Sequence, residues 1–219
     1  MNNQPTDTST LTSELADFQR SWNAKAPDGL QKKFENGIEE LSVLTHTSLK
    51  VGDTAPDFDL KNALNKPIKL SDLLRNGPVV LSWYRGGWCP YCNIQLRHLQ
   101  SYLPQFKAAG ATLVALSPEL PDKSLSTTKK NNLAFEVLTD YDNEVARRYH
   151  IAFTLNEELI EIYNDFHKLE NYNGVSTNEL PIPATYVIDS ESVIRYAFVD
   201  TDYRKRAEPE TVLDVLKSL

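Results

Sequence analysis

Two runs of apolar residues, separated by an amphipathic helical stretch, constrain the fold of this chain more than any other feature of its sequence. The first run is GPVVLSWY at residues 77–84, and the second is ATLVALS at residues 111–117. Continuous apolar runs of this length are typical of strands that are buried on both faces. Between them, apolar residues recur at helical spacing, namely Leu96, Leu99, Leu103 and Phe106. The pattern predicts a strand, a helix and a second strand, with the two strands parallel and adjacent.

The sequence that follows extends this unit into a larger domain of the α/β class. We expect helices at residues 123–132, 143–149, 156–166 and 208–219, and strands at residues 135–138, 184–189 and 193–199. The last two strands are separated by a short polar stretch and therefore predict an antiparallel hairpin. The polar residues 169–180 predict a loop. Parallel and antiparallel pairs together predict a central mixed sheet flanked by helices.

Residues 1–48 are predicted to be a helical N-terminal extension to a main domain over residues 49–219. The extension contains two helical stretches, at residues 10–25 and 28–45. The second has an apolar stripe at three- and four-residue spacing, formed by Leu30, Phe34, Ile38, Leu41 and Leu44. Because a helix that is apolar on one face must bury it, we expect the stripe to pack on the main domain or on a second subunit of a homodimer.

Charge and hydropathy argue against two classes of partner. The 219-residue chain has a formal net charge of -7, and its clustered basic residues, Arg204, Lys205 and Arg206, lie among acidic ones. This charge repels nucleic acid. No stretch approaches the roughly 20 apolar residues that span a bilayer, and the first residues show neither a basic cluster nor an apolar signal run. We therefore expect a cytoplasmic protein that binds neither nucleic acid nor a membrane.

The two cysteines of the chain, Cys89 and Cys92, are predicted to be its reactive groups. A thiol reacts as its thiolate, and a free cysteine with a pKa near 8.5 is mostly protonated at neutral pH. Here the first buried strand is followed by a short loop, and Pro90 suits the first position of the next helix. Cys89 is then near the N-cap and Cys92 in the first turn, where the helix dipole stabilises negative charge. Their spacing allows the two sulfurs to form a disulfide.

Other interpretations of the cysteine pair are weaker. A zinc site needs two further ligands, and the sequence has no second cysteine pair and no histidines at ligand spacing. We therefore expect no metal and no other cofactor. An inert buried pair is disfavoured because Pro90 and the two preceding glycines predict a surface turn for the cysteines. Redox chemistry remains.

Three residues around the cysteines each have two interpretations. Arg85 either adds positive charge beside the thiolate or is simply solvated. Trp88 and Tyr91 either form apolar walls around the thiols or belong to a surface on which a partner docks.

Pro183 is the other candidate site residue, because it directly precedes the predicted strand at residues 184–189. Proline at the entrance of a central strand is poorly tolerated unless it is the first residue or part of a cis turn. A cis peptide facing the cysteine loop would expose backbone groups for a bound substrate chain. A plain proline at the edge of the strand is the alternative.

Three segments together resemble the peroxiredoxin-like proteins of the alkyl hydroperoxide reductase and thiol-specific antioxidant family. They are VVLSWYRGGWCPYCNIQLRHLQ at residues 79–100, LPIPATYVID at residues 180–189, and the final helix with its Glu-Pro pair. The resemblance covers residues 49–219. It implies a thioredoxin-like fold, a peroxidatic cysteine that attacks a hydroperoxide, and a resolving thiol that closes a disulfide. Thioredoxin or a similar dithiol reopens that disulfide.

The chain departs from the family pattern at two places. In the proline, threonine and cysteine frame of peroxiredoxins, Arg85 takes the proline place, Cys89 the threonine place and Cys92 the peroxidatic place. Pro183 takes the place of the arginine that holds the peroxide. Both departures are toward thioredoxin, whose first cysteine is the nucleophile. Cys89 is therefore the nucleophile by the comparison with thioredoxin, and Cys92 by the peroxiredoxin frame.

Three functional hypotheses follow. The leading one is a thiol-dependent enzyme that reduces hydrogen peroxide or organic hydroperoxides through Cys89 and Cys92 and is recycled by a thioredoxin-like dithiol. The second is a thioredoxin-like protein disulfide reductase. The third is a non-catalytic interaction module on the same fold. The sequence leaves open whether residues 154–180 form a lid over the site.

Overall fold

The computed structural model describes residues 9–166 and 168–219, and for residues 43–45 it describes the backbone alone. Its strands are β1 Asp59–Asn62, β2 Pro67–Lys69, β3 Val79–Trp83, β4 Thr112–Ser117, β5 Glu136–Thr139, β6 Ala152–Thr154, β7 Glu179–Pro181, β8 Ala184–Ile188 and β9 Ile194–Val199. Its α-helices are α1 Leu11–Asn23, α2 Leu30–Glu40, α3 Leu70–Leu74, α4 Pro90–Ala108, α5 Pro121–Lys130, α6 Glu144–Arg148, α7 Glu157–Phe166, α8 Glu170–Asn173 and α9 Pro209–Lys217. Short 3₁₀ helices span Leu41–His46 and Tyr141–Asn143.

Seven strands form one mixed sheet in the order β2-β1-β5-β4-β3-β8-β9. β3 precedes α4 in the sequence and β4 follows it. The two strands are parallel neighbours in the sheet, as the sequence predicts. β8 and β9 form the predicted antiparallel hairpin, and β8 also pairs antiparallel with β3. β3 is therefore a central strand, and the loop that follows it leads directly to the two cysteines.

Both faces of β3 are covered, which explains its continuous apolar sequence. Val79, Leu81 and Trp83 lie in one apolar core. Val80 points to the other face, where it packs in a core with Leu99 of α4. A strand covered on both sides has no solvent-facing positions to be filled by polar residues. The end of β3 is thus held by packing on two sides, which fixes the start of the loop at Tyr84.

The segment from β6 to β7 differs from the sequence prediction. Residues 169–180 are predicted to be a loop, but they contain the short helix α8 and the start of β7. β7 pairs antiparallel with β6 in a separate two-stranded sheet. Just beyond this ladder, the Ile182 amide donates to the Ile151 carbonyl oxygen at 2.7 Å. The strand has no local signal in its polar sequence, because its hydrogen bonds are made with a partner strand far away in the chain, as in the pair of Phe153 with Leu180, which are 27 positions apart.

Helix α1 packs against α4 of the main domain. Leu11 and Leu15 are buried, and the Glu14 carboxylate forms an ion pair with Arg97 and a hydrogen bond with His98 of α4. At the start of α1, the amides of Leu11 and Thr12 donate to the Glu208 carboxylate at 3.2 and 2.7 Å. A carboxylate at a helix N-terminus satisfies free amides and is favoured by the helix dipole. The segment between β9 and α9 therefore anchors the extension.

Helix α2 packs against α7, and this contact buries part of the predicted apolar stripe. Leu30 and Phe34 pack against an apolar cluster that includes Leu159 of α7. The two helices are so close at Gly37 that a Cβ there would lie 2.5 Å from Leu159 Cδ1. The side chain of Leu44, the last stripe residue, lies outside the described residues. The homodimer and the domain boundary between residues 48 and 49 stay predictions.

Candidate active site

The two cysteines lie where the sequence predicts them, at the start of α4. Cys89 is the N-cap residue, with φ -84° and ψ 117°, and Pro90 occupies the first turn. Cys92 follows inside that turn. The prediction of a surface turn is wrong, however, because the exposed fractions of Cys89 and Cys92 are only 2% and 0%. Aromatic residues of α1 and α2, namely Phe18, Trp22 and Phe34, line the space in front of Cys89. Both thiols are free, and no disulfide joins them.

The electrostatic surroundings distinguish the two thiols. Burial alone would raise the pKa of Cys92, but a hydrogen bond from Cys89, the positive charges of Arg206 and Arg85, and the Arg85 backbone amide together lower it to about 5. Burial, the hydrogen bond with Cys92 and the charge of Cys92 raise the pKa of the Cys89 thiol well above its ordinary value. At neutral pH the negative charge therefore lies on Cys92, and the proton lies on Cys89.

Arg206 makes the direct charged contact with Cys92. Its Nη2 atom lies 3.5 Å from the Cys92 Sγ atom. Its Nε atom donates to Gln95 Oε1 at 2.7 Å, and its Nη1 atom donates to the carbonyl oxygens of Tyr203 and Lys205. The guanidinium is buried. These bonds fix its orientation, so its charge is held beside the sulfur before any substrate arrives.

Arg85 is buried in a cage of aromatic rings. Its Cζ atom lies 4.4 Å from the centroid of Tyr203 and 5.1 Å from the centroids of both Trp88 and Tyr163. It also donates a hydrogen bond to the Tyr163 hydroxyl. Burial opposes its charge, but Tyr163 and the two cysteines raise the pKa of Arg85, so it stays protonated. Of the two interpretations made from the sequence, the geometry agrees with a charge beside the thiolate.

A buried carboxylate, Glu119, holds the loop between β3 and α4. Its Oε1 atom accepts from the Gly87 amide at 2.8 Å, and its Oε2 atom accepts from the Tyr84 hydroxyl at 3.1 Å and the Thr127 hydroxyl at 3.3 Å. Burial raises the pKa of the Glu119 carboxyl despite these bonds. The loop also passes very close to α5, since a Cβ at Gly87 would overlap Thr127 Oγ1. Glycine is therefore required at this position by space.

Asn93, one turn into α4, holds the other side of the same loop. Its Nδ2 atom donates to the carbonyl oxygens of Gly87 and Cys89, both at 2.8 Å. Its Oδ1 atom accepts from Asn131 Nδ2 at 2.8 Å. Cys89, Asn93 and Asn131 are all buried. The position of Cys89 is therefore fixed by side chains on both sides of the loop.

An aromatic pocket of about 320 Å³ opens in front of Cys89. The cysteine motif contributes Trp88, Cys89, Pro90 and Tyr91 to its lining. Arg85 lies in the same wall. The remaining lining residues are aromatic and come from α1, α2, α7 and the segment after β9, namely Phe18, Trp22, Phe34, Tyr163, Phe166 and Tyr203. The pocket thus provides an approach to the Cys89 side chain.

Pro183 lies between β7 and β8. Within residues 9–166 and 168–219 no peptide bond is cis, so the cis alternative for Pro183 is wrong. It lines a cavity of only about 20 Å³ that it shares with Arg85, and it does not line the pocket at Cys89. A trans proline fits here because β8 begins at Ala184 and requires no amide from the preceding residue.

Comparison with known proteins assigns the fold and the family. The model of the AhpC/TSA family matches residues 51–197. The chain belongs to this family. Among AhpC/TSA-type relatives, the putative peroxiredoxin Bcp of Buchnera aphidicola is 35% identical over 103 residues, which are 47% of this chain and 65% of that protein. Peroxiredoxin Bcp of Escherichia coli is 24% identical over 169 residues, which are 77% of this chain and 96% of that protein.

A solved structure confirms the predicted thioredoxin-like fold. Peroxidoxin BcpB of Mycobacterium tuberculosis superposes with a TM-score of 0.61 and 22% sequence identity, over 78% of this chain and 98% of that one. The family match ends at residue 197 and begins at residue 51. Four aromatic residues of the pocket, Phe18, Trp22, Phe34 and Tyr203, therefore lie outside it.

Several residues of this AhpC/TSA-family site escape prediction from the sequence. Arg206 lies in a short cluster of basic residues between Asp202 and Glu208, a pattern that is typical of a solvated surface. The position of Glu119 near the site could have been predicted from the sequence. It follows the second buried strand, and the carboxyl ends of parallel neighbouring strands meet at one edge of a sheet. Tyr163 and Phe34 carry no such signal, since an aromatic residue on an amphipathic helix is ordinarily part of the core.

Two classes of site find no support in the described part of the chain. Within residues 9–166 and 168–219, no group of three or more His, Cys, Asp or Glu side chains is placed to hold a metal ion. Across the same residues, no helix is long and apolar enough to cross a membrane.

Proposed function

We propose that this chain is a thiol-dependent peroxidase in which Cys92 is the nucleophile and Cys89 is the resolving thiol. The observation that carries the proposal is the Cys92 sulfur, whose pKa is lowered to about 5 and which lies 3.5 Å from the Arg206 guanidinium. A thiolate held beside fixed positive charge is the reactive group that peroxide reduction requires. The family match and the peroxiredoxins among the relatives support the same activity.

The reaction then proceeds in two steps. The Cys92 thiolate attacks one oxygen of the hydroperoxide, the O–O bond breaks, and Cys92 becomes a sulfenic acid. The leaving alkoxide takes the proton of the Cys89 thiol, which becomes a thiolate. Cys89 then attacks the Cys92 sulfur, the S–S bond forms, and hydroxide leaves and takes a proton from solvent. The peroxide is reduced to an alcohol and water, and the two thiols are oxidised to a disulfide.

The two arginines support the first step. Arg85 and Arg206 place two positive charges near one thiolate, and both act on the Cys92 sulfur. The negative charge moves from the sulfur to the leaving oxygen as the O–O bond breaks. Fixed guanidinium groups in a buried site stabilise that developing charge without having to reorient.

The burial of both cysteines supports a small peroxide over a protein disulfide as the substrate. A protein substrate must bring its own disulfide into line with the attacking sulfur, and Cys89 is only 2% exposed at the base of an aromatic pocket. Recycling by a thioredoxin-like dithiol requires this cover to open, and it stays a prediction. The cytoplasmic location stays a prediction as well.

The proposal is tested by mixing the reduced protein with hydrogen peroxide and with an organic hydroperoxide in a stopped-flow instrument. We expect one equivalent of peroxide to be consumed and a Cys89–Cys92 disulfide to be found by peptide mass spectrometry. Reduction of insulin disulfides is measured in parallel. Fast insulin reduction without a peroxide reaction would favour the disulfide reductase. A pair that turns over with neither substrate would favour the interaction module.

A further inference from the structure

Part of the pocket in front of Cys89 is built by segments of the chain that the family match does not include. Phe18 and Trp22 project from α1, Phe34 projects from α2, and Tyr203 follows β9. All four lie outside residues 51–197. The N-terminal helices therefore contribute aromatic residues from outside the family match to the thiol site.

The added rings continue those of the cysteine motif. Phe18 packs edge-to-face on Tyr91 with centroids 4.9 Å apart, and Phe34 contacts Trp22 at 5.8 Å and Tyr163 at 6.0 Å. Edge-to-face contacts at these distances are favourable and directional. The rings form a defined apolar wall around the space next to the sulfur, and this wall would also hold an aromatic guest.

The size and lining of the pocket exceed what hydrogen peroxide needs. Its volume of about 320 Å³ is within the range of small-molecule binding sites, which is roughly 300–1,000 Å³. Aromatic walls offer hydrogen peroxide few hydrogen bonds in exchange for those it loses on leaving water. A ligand with a bulky apolar body gains from burial against the same walls.

One polar group in the wall is arranged to meet an oxygen of the ligand. Arg85 is 2% exposed, lines the pocket and has a buried Nε atom without a hydrogen-bond partner in the described structure. Buried donors of this kind are ordinarily satisfied by a partner. The pocket thus combines apolar walls with a buried guanidinium close to the thiols.

We propose that α1 and α2 form a specificity pocket for the aromatic body of an organic hydroperoxide, with the peroxide group directed to Arg85 and the cysteines. The inference deepens the proposed function and rests on it. Trp22 and Phe34 are the specificity-determining residues. They act by holding the apolar part of the substrate, and the cysteines carry out the reaction.

Binding can be measured without the reaction. The probe is 2-phenyl-2-propanol, the unreactive alcohol that corresponds to cumene hydroperoxide, titrated into the reduced full-length protein by isothermal calorimetry. We expect saturable binding of this alcohol, no measurable binding of tert-butanol, and a Kd for the aryl alcohol that rises roughly tenfold in Trp22→Ala and in Phe34→Ala. Lys32→Ala, an exposed change on the same helix as Phe34, is the control and leaves the Kd unchanged.

Specificity is measured as the ratio of kcat/KM for cumene hydroperoxide to kcat/KM for hydrogen peroxide. We expect this ratio to fall roughly tenfold in Trp22→Ala and Phe34→Ala and to stay constant in Lys32→Ala. Phe34→Leu removes the ring but keeps an apolar side chain, so it replaces Phe34→Ala if that variant does not fold. The ratio should fall in Phe34→Leu as well.

The two proposals fail in different ways. Failure of the wild-type protein to bind the aryl alcohol, or an unchanged ratio in both ring variants, would overturn the specificity pocket even if peroxide is consumed. Binding of the alcohol by a protein that reacts with no peroxide would leave the pocket in place and contradict the proposed function.

Discussion

The Nη2 atom of Arg206 lies 3.5 Å from the Sγ atom of Cys92, although 114 positions separate the two residues in the sequence. Arg206 is held there by Gln95, whose own Nε2 atom is within 3.4 Å of Ser82 Oγ on β3 and 3.5 Å of Thr185 Oγ1 on β8. The central strands thus determine where the charge lies.

Removal of the Arg206 charge should raise the pKa of Cys92. A nearby positive charge favours the thiolate, so in Arg206→Ala we expect the pKa to rise from about 5 by about 1 to 3 pH units, toward its ordinary value. Arg206→Lys keeps the charge and should recover part of the shift. The pKa is measured from thiolate ultraviolet absorbance against pH. Arg204→Ala, which removes a nearby arginine that is paired with Asp202 and is not among the charges that lower the pKa of Cys92, is the control. An unchanged pKa in Arg206→Ala would exclude the assigned role.

The reaction rate should depend little on pH around neutrality. Because the pKa of Cys92 is lowered, its thiolate is present above about pH 5 and is lost as the pH falls through that value. We expect the second-order rate constant with hydrogen peroxide at pH 6 to be within about twofold of that at pH 8. An ordinary thiol would lose more than about tenfold over this interval. The rate constant is measured by stopped flow across the pH range. A rate constant that reaches half its maximum near pH 8.5 would contradict the lowered pKa of Cys92.

Loss of the Glu119 carboxylate should destabilise the protein. Glu119→Ala removes the acceptor for the Gly87 amide and for the hydroxyls of Tyr84 and Thr127, which leaves buried donors unsatisfied. We expect the free energy of unfolding to fall by about 2–3 kcal/mol in urea titrations of the reduced protein. Glu161→Ala, an exposed change on α7, should stay within about 0.5 kcal/mol of the wild type. Equal effects of the two variants would show that Glu119 does not anchor the loop.

A methyl group at position 87 should destabilise the loop through its contact with α5. In Gly87→Ala the new Cβ overlaps Thr127 Oγ1, and overpacking of this kind costs about 1–3 kcal/mol. Thr127→Ala removes the overlapping oxygen, so Gly87→Ala should cost at least about 0.5 kcal/mol less in that background. A double-mutant cycle of urea unfolding free energies measures the difference. Strict additivity would mean that the two positions are not in contact.

Much of the fold and part of the site could be predicted because the relevant signals are local. The apolar run of β3, the stripe of α4 and Pro90 lie within one stretch of sequence, and together they place Cys89 at the N-cap and Cys92 in the first turn. Helix spacing and capping require no knowledge of distant residues. For the same reason the hairpin of β8 and β9 is predicted correctly.

The remainder depends on contacts between residues far apart in the sequence. The sequence around Arg206 is typical of a solvated cluster of charges. Arg206 lies close to Cys92 only because the segment between β9 and α9 passes beside the start of α4. The cysteines are predicted at a surface turn because nothing in their own motif shows that Phe18 and Phe34 cover them. The pairing of β6 with β7 is missed since neither strand has an apolar pattern of its own.

The central claim, that Cys92 is the attacking sulfur, is tested most directly by trapping the sulfenic acid in single-cysteine variants. Reduced Cys89→Ser and Cys92→Ser proteins are each mixed with one equivalent of hydrogen peroxide and a sulfenic-acid trap, and the labelled peptide is identified by mass spectrometry. We predict rapid labelling of Cys92 in Cys89→Ser and no rapid labelling in Cys92→Ser. Labelling of Cys89 at the wild-type rate in Cys92→Ser, with Cys92 unlabelled in Cys89→Ser, would contradict the account.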